Sequence, residues 1–399
     1  MKLVMTLLVR NEVDVIEANL EYHLAQGVDF VIVTDHGSND GTSDILREYE
    51  RMGVVKVIRD EEEGFHQSNR VTRMAEIARL GHGADWVINN DADEFWWPLV
   101  GDLRDVFSSM PSQFGQIKVK RRNFRPTPDD EGPFYSRLVH REANSLNLSG
   151  FELELKVAHR PCPGVVVAPG NHSLRGVELP CVPISEMLEI FHFPMRSYEQ
   201  FERKVVQIGH GYEQIPNLSP DVGGDQLALL ARHRAGKLRD YYDGLVLDDD
   251  ALKRGLQMGS IVVDRRLENF MRDLRSGERS QARADGPYAR ILLQKMMDAL
   301  GELEQGREEL AALRSELEHE RERAQNEGAR AVVERERAEE EQTLSKQLHR
   351  QIAEMGVRLE HSTDELRRTS EALHLLRSSH LMRSTATARR LYYRVTGKA

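Results

Sequence analysis

The sequence predicts an α/β protein with a doubly wound sheet, followed by a long C-terminal coiled-coil helix. Two observations support this fold class. Short apolar runs alternate four times with helical stretches in about the first 90 residues. Further along, leucine and alanine recur every seven residues from Leu303 to Leu373.

The first of the four predicted strands is a continuous apolar run, as expected for a strand buried on both faces of a parallel sheet. The stretches between them show helical periodicity, and the first two end at Gly27 and Gly53. Right-handed crossovers then give a doubly wound sheet. The strands are LVMTLLV (3–9), DFVIVTD (29–35), VVKVIRD (54–60) and ADWVINND (84–91).

Polar residues follow the strand ends and predict where a ligand binds. In open α/β sheets, ligands bind beyond the carboxyl ends of the strands, so a nucleotide is expected at this edge. The residues concerned are Asn11, Asp35, Asp60 and Asp91.

The rest of the chain divides by composition. Residues 101–235 are less regular and rich in proline, and they predict a second half-domain that closes over residues 1–100. Residues 236–300 are expected to be a helical linker, 301–376 a coiled coil and 377–399 a basic tail. The tail suits an anionic membrane surface, or it is a disordered solubilising end.

The heptad pattern predicts a rod of about 110 Å that joins copies of the chain; a lone solvated helix is the alternative. Both ends carry two apolar rows, whereas the centre has alanines facing glutamates. One row contains Leu303, Leu310, Leu317, Ala324, Ala331, Ala338, Ser345, Ile352, Leu359, Leu366 and Leu373. The other contains Leu313, Glu320, Glu327, Glu334, Glu341, Leu348, Met355 and Leu376.

Charge and cysteine content restrict the function classes. The net charge of −10 argues against a general nucleic-acid binder. Cys162 and Cys181 form no CxxC pair, which makes a zinc site unexpected. The chain shows no apolar run of membrane-spanning length and no signal-peptide pattern, so a cytoplasmic protein is expected, with possible peripheral contact at the inner face of the membrane.

The stretch VINNDADEFWWP (87–98) brings Asp91, Asp93 and Glu94 directly after a buried strand. Burying an unpaired carboxylate is costly, so a cation is expected here. Two aspartates at this spacing suit Mg²⁺ or Mn²⁺, which keep positions open for phosphate oxygens. The aromatic residues Phe95, Trp96 and Trp97 would pack beneath the site or stack on a sugar.

Three motifs then resemble a known family. LVRNE, VTDHGSNDGT and NNDADEF, in this order, resemble the GT-A fold glycosyltransferases of the family 2 type, in the branch with a DADEF motif. The resemblance covers residues 3–98 and continues weakly through LELKVAHRP, GNHS and FHFPMRSYEQFERK. It implies a GT-A type mixed sheet, with residues 1–100 binding a nucleotide-sugar and 101–235 the acceptor.

The resemblance also implies the donor, the cofactor and their contacts. The donor would be a nucleotide-sugar, most simply a UDP-sugar, with Mn²⁺ or Mg²⁺ and inversion at the anomeric carbon. Asp35 would contact the nucleoside, and Asn11 and Glu12 would line its pocket. Asp91 and Asp93 would form the DxD motif. His36 departs from the family, in which many members have a second acid at this position.

Candidate residues are also assigned to three further roles: metal ligand, diphosphate binding and general base. His192 is the first choice for a histidine metal ligand and His172 the second. The diphosphate would meet basic side chains, and the candidates are Lys156, Arg160, Arg196 and Lys204. A general base for the acceptor hydroxyl is sought among Glu189, Asp221 and Asp225, of which Asp225 follows a flexible VGG.

The predicted function is therefore a metal-dependent inverting glycosyltransferase acting on a glycan or lipid-linked acceptor, in surface polysaccharide synthesis. A coiled-coil scaffold with an inactive transferase domain is the alternative. A nucleotidyltransferase is disfavoured, because such enzymes usually have a glycine-rich N-terminal loop and LLVRNEVDV contains no glycine.

Overall fold

A computed structural model of the protein describes the chain in several ranges and divides it into two compact units, Met1–Gly286 and Pro287–Ala399. Each unit is described by itself. The described residues are 1–60, 66–128, 131–146, 150–182, 187–215, 223–277, 301, 305–320 and 334–378.

The first unit contains thirteen strands and ten α-helices within the described ranges. Its first part contains β1 (Leu3–Val9), α1 (Ile16–Ala25), β2 (Phe30–Asp35), α2 (Thr42–Arg51), β3 (Val55–Arg59), α3 (Gln67–His82), β4 (Trp86–Asn90), β5 (Glu94–Pro98) and α4 (Leu103–Ser109). Then come β6 (Gln116–Val119), β7 (Arg121–Asn123), α5 (Phe134–Arg137), β8 (His140–Glu142), β9 (Lys156–His159), β10 (Val166–Val167), a short 3₁₀ turn (Pro169–Asn171), β11 (Leu174–Arg175) and β12 (Leu188–His192). The last elements are α6 (Tyr198–Glu213), α7 (Gly224–Arg234), α8 (Leu238–Asp243), α9 (Asp249–Met258), β13 (Ile261–Val263) and α10 (Arg266–Arg275).

The main sheet is mixed, with the strand order β3-β2-β1-β4-β9-β6. The four predicted strands are β1 to β4 and run parallel to one another, whereas β9 and β6 are antiparallel to their neighbours. The strand order reverses between β1 and β4, and ligands bind at such a switch point. The mixed α/β sheet that the sequence predicts is confirmed.

Helix α3 covers one face of this sheet with apolar side chains. Met74 and Ala78 of α3 are fully buried in a cluster with Val4, Ile32 and Val87, which project from three neighbouring strands. Fully burying a side chain of this size contributes about 1.5–3 kcal/mol. The cluster therefore fixes the strands whose ends form the cleft described below.

A second sheet, of order β5-β12-β7, begins within the DADEF motif, at Glu94. Strands β5 and β12 are antiparallel and pair Glu94 with His192. Trp97 stacks on Phe191 with ring centroids 4.9 Å apart. Phe95, Trp96 and Trp97 are all buried, so of the two predicted roles the structure supports packing beneath the site.

The segment predicted as a helical linker contributes to the first unit as far as residue 277. Strand β13 pairs with β8, and Arg275 of α10 donates to Glu21 of α1 over 2.8 Å. The linker prediction for 236–300 is therefore corrected over 236–277, and 278–300 lie outside the described residues.

The second unit contains two described helices, α11 (305–320) and α12 (Glu334–Ser378). A Cβ atom at Gly306 would lie 3.0 Å from Leu359 Cδ2, so the helices lie side by side at this point. In one continuous helix these residues would be about 80 Å apart at 1.5 Å per residue. The prediction of a single rod of about 110 Å is therefore wrong.

Heptad leucines are buried within one chain. Leu317, Leu348 and Leu366 are 3–7% exposed. Association of copies through the heptads stays a prediction, and most of the basic tail (379–399) lies outside the described residues. None of the described helices combines the length and apolar character that crossing a membrane requires.

Helices α6 and α7 approach each other closely at Gly209. A Cβ atom there would lie 2.7 Å from Leu230 Cβ, so any larger residue must push the helices apart. We expect Gly209→Ala to be less stable than Gly224→Ala by about 1–3 kcal/mol in urea unfolding. Gly224 lies in α7 with no atom within 4 Å of its Cβ position, which makes it the matched control. Equal midpoints would contradict the tight contact.

Candidate functional site

A cleft of about 1160 Å³ opens at the carboxyl edge of the main sheet, within the first unit. Three loops line it, following β1, β2 and β4. Helix α6 forms the facing wall, with contributions from α3 and α7. The loops contribute Arg10, Asn11, Glu12, His36, Asp91, Ala92 and Asp93. The sequence predicted ligand binding at this edge of the sheet.

The loop after β1 is held by the turn after β2. Asn11 has a left-handed backbone (φ 58°), and its side-chain oxygen accepts a hydrogen bond from the backbone N–H of Asn39 over 2.9 Å. Both oxygens of Asp35 are used in the same turn, by the Ser38 N–H (3.1 Å) and the Ser43 hydroxyl. Asp35 does not line the cleft. The structure gives it a turn-forming role, and its nucleoside contact stays a prediction.

Arg196 is the buried centre of charge beneath the cleft. Only 1% of its side chain is exposed, and it donates to Glu12 over 2.5 Å and to Asp14 over 2.6 Å. Burial alone would lower the pKa of Arg196, but these carboxylates raise it. Burial raises the pKa of Glu12 despite Arg196. The sequence proposed Arg196 for the diphosphate, whereas the structure commits it to the loop after β1.

Asp91 is paired with a lysine from β9, the strand next to β4. The Nζ atom of Lys156 donates to Asp91 Oδ2, and Asn171 donates to Oδ1 over 3.1 Å. Lys156 is almost fully buried, yet its pKa is raised, because Asp91 and Glu94 outweigh the effect of burial. Lys156 therefore stays charged and neutralises the first acid of the motif.

Asp93 is surrounded by cationic or neutral nitrogen groups. Lys204 donates to its Oδ2, Arg196 Nη1 lies 3.8 Å from that atom and His192 Nε2 lies 3.9 Å from it. Burial raises the pKa of Asp93, but Lys204, His192 and Arg196 together hold it well below its usual value. Of the three acids, Asp93 and Glu94 are buried and Asp91 is half-buried. The cations beside them are thus largely lysine and arginine side chains of the protein itself.

His192 has the arrangement of a metal ligand. Its Nδ1 lies 2.8 Å from Asn123 Oδ1, which fixes the proton on that nitrogen and leaves Nε2 facing Asp93 as an acceptor. Burial holds its pKa well below the usual value, so the ring is neutral. Asp93 and His192 therefore fit a divalent cation, although the described residues contain no group of three such ligands.

His172 lines the cleft but fits a metal less well. Its Nδ1 lies 3.0 Å from the Leu155 carbonyl and its Nε2 lies 3.3 Å from Glu154. Both ring nitrogens are thus engaged by groups outside the DADEF motif. Arg160 is also removed from the diphosphate candidates, since it donates to the carbonyls of Phe114 and Met110 and does not line the cleft.

Glu94 is a fully buried acid to which the sequence assigned no role. Among the described residues, neither side-chain oxygen has a hydrogen-bond partner. Two cations are nevertheless close to Oε1: Lys156 Nζ lies 3.1 Å from it, and Arg121 Nη1 lies 3.6 Å from it. Burial raises the pKa of Glu94 to about 7. The position of Glu94 between two segments that were predicted to be buried was the sequence signal for a buried acid.

The predicted general bases are not brought into the cleft. Glu189 is buried in β12 and forms ion pairs with Arg266 (2.6 Å) and Arg122 (3.1 Å); it does not line the cleft. Burial would raise the pKa of Glu189, but these arginines hold it below its usual value. Asp225 is exposed in the first turn of α7 and also lies outside the lining. Asp221 lies outside the described residues.

Sequence reasoning missed an acid–histidine pair on the facing wall. Glu202 of α6 and His233 of α7 both line the cleft, with His233 Nδ1 3.4 Å from Glu202 Oε1. The Tyr198 hydroxyl donates to the same oxygen over 3.0 Å. The spacing of Tyr198 and Glu202 by four residues on a helix was a signal, but nothing in the sequence connected them to His233.

Residues 6–206 match the sequence family described as glycosyltransferase family 92. The chain belongs to glycosyltransferase family 92. The prediction of a glycosyltransferase is confirmed, and the protein is an enzyme of this family. The match names a different family from the family 2-like branch that the three motifs resemble. A search of curated proteins found no match.

Comparison with solved structures found distant neighbours. TarS 1–349 of S. aureus in complex with UDP-GlcNAc is 13% identical, with 74% of this chain and 90% of that chain covered and a TM-score of 0.34. Glucosyl-3-phosphoglycerate synthase of Mycobacterium tuberculosis, in complex with Mn²⁺, UDP and glucosyl-3-phosphoglycerate, is 18% identical, with 30% of this chain and 44% of that chain covered and a TM-score of 0.23. The chain thus spans less than half of the synthase. Likeness at this level carries no argument about ligands.

Breaking the buried Arg196 pairs should destabilise the family 92 enzyme strongly. Arg196→Met leaves Glu12 and Asp14 without their cation, and we expect a loss of about 3–5 kcal/mol in urea unfolding. The control is Arg47→Met, which removes the exposed pair with Asp44 and should change stability by less than about 1 kcal/mol. Equal effects would show that Arg196 does not hold the cleft together.

Proposed function

We propose that this family 92 enzyme transfers a sugar from a UDP-sugar to a hydroxyl group of a glycan or lipid-linked acceptor, with inversion at the anomeric carbon. One observation carries the proposal. At the switch point of the sheet, the two aspartates of the DADEF motif and a set of basic side chains line the same large cleft. Residues 1–100 would bind the donor, and 101–235 would contribute to the acceptor side.

The basic side chains suit a diphosphate. Arg and Lys bind phosphate oxygens through strong charge-assisted hydrogen bonds. Lys156 and Lys204 lie beside the two aspartates of the motif, so both positive charges are concentrated where the diphosphate would sit. The cleft is also lined by Arg10, Arg70, Arg121 and Arg203.

A divalent cation would be held by Asp93 and His192, with Asp91 as a further carboxylate. Hard oxygen ligands and a neutral imidazole suit Mn²⁺ or Mg²⁺. When bound, the ion would offset the negative charge of the leaving diphosphate. Asn123 orients the imidazole, Lys204 holds Asp93 in place, and Lys156 does the same for Asp91.

We place the enzyme in the cytoplasm, in surface polysaccharide synthesis, with its basic tail at the inner face of the membrane. The positive charges of residues 377–399 support the membrane contact. Self-association through the heptad leucines belongs to the same proposal. The alternative is a scaffold with an inactive transferase domain. In that case the cleft would bind no nucleotide.

Thermal melting tests the donor site. We expect UDP with Mn²⁺ to raise the melting temperature, because a ligand that binds only the native state stabilises it, by about 2.7 kcal/mol at a hundred times its dissociation constant. GDP, CDP and ADP serve as comparisons. Asp93→Asn should abolish the Mn²⁺-dependent part of the rise.

Asp44→Asn is the control for this experiment, since Asp44 is an exposed acid outside the cleft. It should respond to UDP and Mn²⁺ as the wild type does. If no nucleotide raises the melting temperature, the transferase proposal fails and the scaffold is favoured. A rise with UDP that does not depend on Mn²⁺ would remove the metal from the proposal and keep the donor.

A further inference from the structure

Sugar transfer to a hydroxyl group requires a group that accepts the hydroxyl proton. The acids at the bottom of the cleft are already engaged by cations. Glu12 is bound by Arg196, Asp91 by Lys156 and Asp93 by Lys204. Protonating any of these carboxylates would break an ion pair at the bottom of the cleft, which is costly.

None of the described histidines on the sheet side of the cleft has a carboxylate at Nδ1. His36 Nδ1 lies 3.2 Å from the Asp60 carbonyl and His172 is held at both nitrogens. His192 is held at Nδ1 by Asn123 and faces Asp93 with Nε2. On the facing wall, Glu199 and His210 line the cleft, but no described side chain orients either of them.

The pair of Glu202 and His233 has the arrangement that the other candidates lack. Glu202 accepts from the Tyr198 hydroxyl and lies 3.4 Å from His233 Nδ1, so the carboxylate favours the tautomer with the proton on Nδ1. Within the described part of the cleft, the Nε2 atom of His233 has no hydrogen-bond partner. It is therefore available as a proton acceptor. The distance of 3.4 Å is long for a hydrogen bond, as is common for catalytic pairs without substrate.

Helix packing sets this pair in place. Gly209 of α6 lets Leu230 of α7 approach to within contact distance, and His233 lies one helical turn beyond Leu230. Leu230 is 1% exposed, so this contact is a buried anchor. The two side chains lie 34% and 39% exposed at the cleft, which gives an acceptor access to them.

We infer that His233, oriented by Glu202, is the general base of the transfer reaction; the inference rests on the proposed function. The acceptor oxygen forms a bond to the anomeric carbon. The bond between that carbon and the diphosphate oxygen breaks, and its electron pair leaves with UDP. The hydroxyl proton passes to His233 Nε2 and from there to water, so atoms and charges balance.

The test compares UDP release by the full-length wild type, His233→Gln and Glu202→Gln. The donors are UDP-glucose, UDP-galactose and UDP-N-acetylglucosamine, and the acceptors are water and p-nitrophenyl glycosides. We expect kcat of His233→Gln to fall about 10²–10⁴-fold, with little change in donor KM. UDP should still raise its melting temperature. Imidazole in solution should restore part of the activity of His233→Gly.

The matched control is Glu213→Gln, which removes an exposed α6–α7 ion pair with Arg234 outside the cleft. It should keep the wild-type rate. Wild-type turnover by His233→Gln would overturn the inference alone. Loss of UDP-induced stabilisation in that variant would also overturn it, because His233 would then act on the donor site. Absence of both turnover and UDP stabilisation in the wild type would overturn the proposed function, and the inference with it.

Discussion

The buried pairing of acids and cations beneath the cleft is the interaction on which the rest of this structure depends. Asp93 is 3% exposed and Glu94 is fully buried, and isolated ionised carboxylates at such depth would be strongly unfavourable. Lys204 and Arg196 offset that cost for Asp93. Lys156 lies beside Glu94, but burial still raises the pKa of that acid to about 7. All three cations come from a later part of the chain than the acids. The second half of the domain therefore supplies the positive charges that the acids of the first half need.

This pairing also determines what the cleft can do. The lysines that pair with the acids also lie close to any anion that enters the cleft. A diphosphate is an anion of suitable size and charge to bind there. A neutral imidazole beside Asp93 adds a ligand for a divalent ion without adding charge. The facing wall is different in character, because its acid at Glu202 is exposed and has a histidine and a tyrosine as its partners. Helix α6 thus carries both Lys204, which lies beside Asp93, and Glu202, which lies beside His233.

Much of the fold was predictable because it depends on local patterns. The run at 3–9 is continuous and apolar, and a strand buried on both faces shows this pattern. The carboxyl-edge location of Asn11 and Asp91 followed from strand direction alone. The single rod was mispredicted because a heptad repeat indicates only that an apolar helix face is covered by another helix. It does not indicate whether that helix belongs to another chain or to the same chain.

The site was predictable only in part, for a related reason. Asp91, Asp93, His192 and Lys204 were identified from motifs, but their pairing depends on contacts between residues up to 111 positions apart. Glu189 was chosen as an acid in the correct half, yet its side chain lies in a buried cluster with Arg122 and Arg266, outside the cleft. Asp35 was taken from sequence likeness, whereas both its oxygens are used in a turn. His233 was missed because helix packing at Gly209, which no motif encodes, brings it to Glu202.

The separation of the partners along the chain has a consequence for synthesis on the ribosome. Asp14 meets Arg196 across 182 positions, and Asp93 meets Lys204 across 111. Domains fold as units during synthesis, and long-range contacts form late because the intervening chain must first be ordered. When β1 to β4 have emerged, their acids still lack every one of these cations. The nascent first half therefore gains its full stability only after α6 has been made, and the two halves of this cleft are one folding unit.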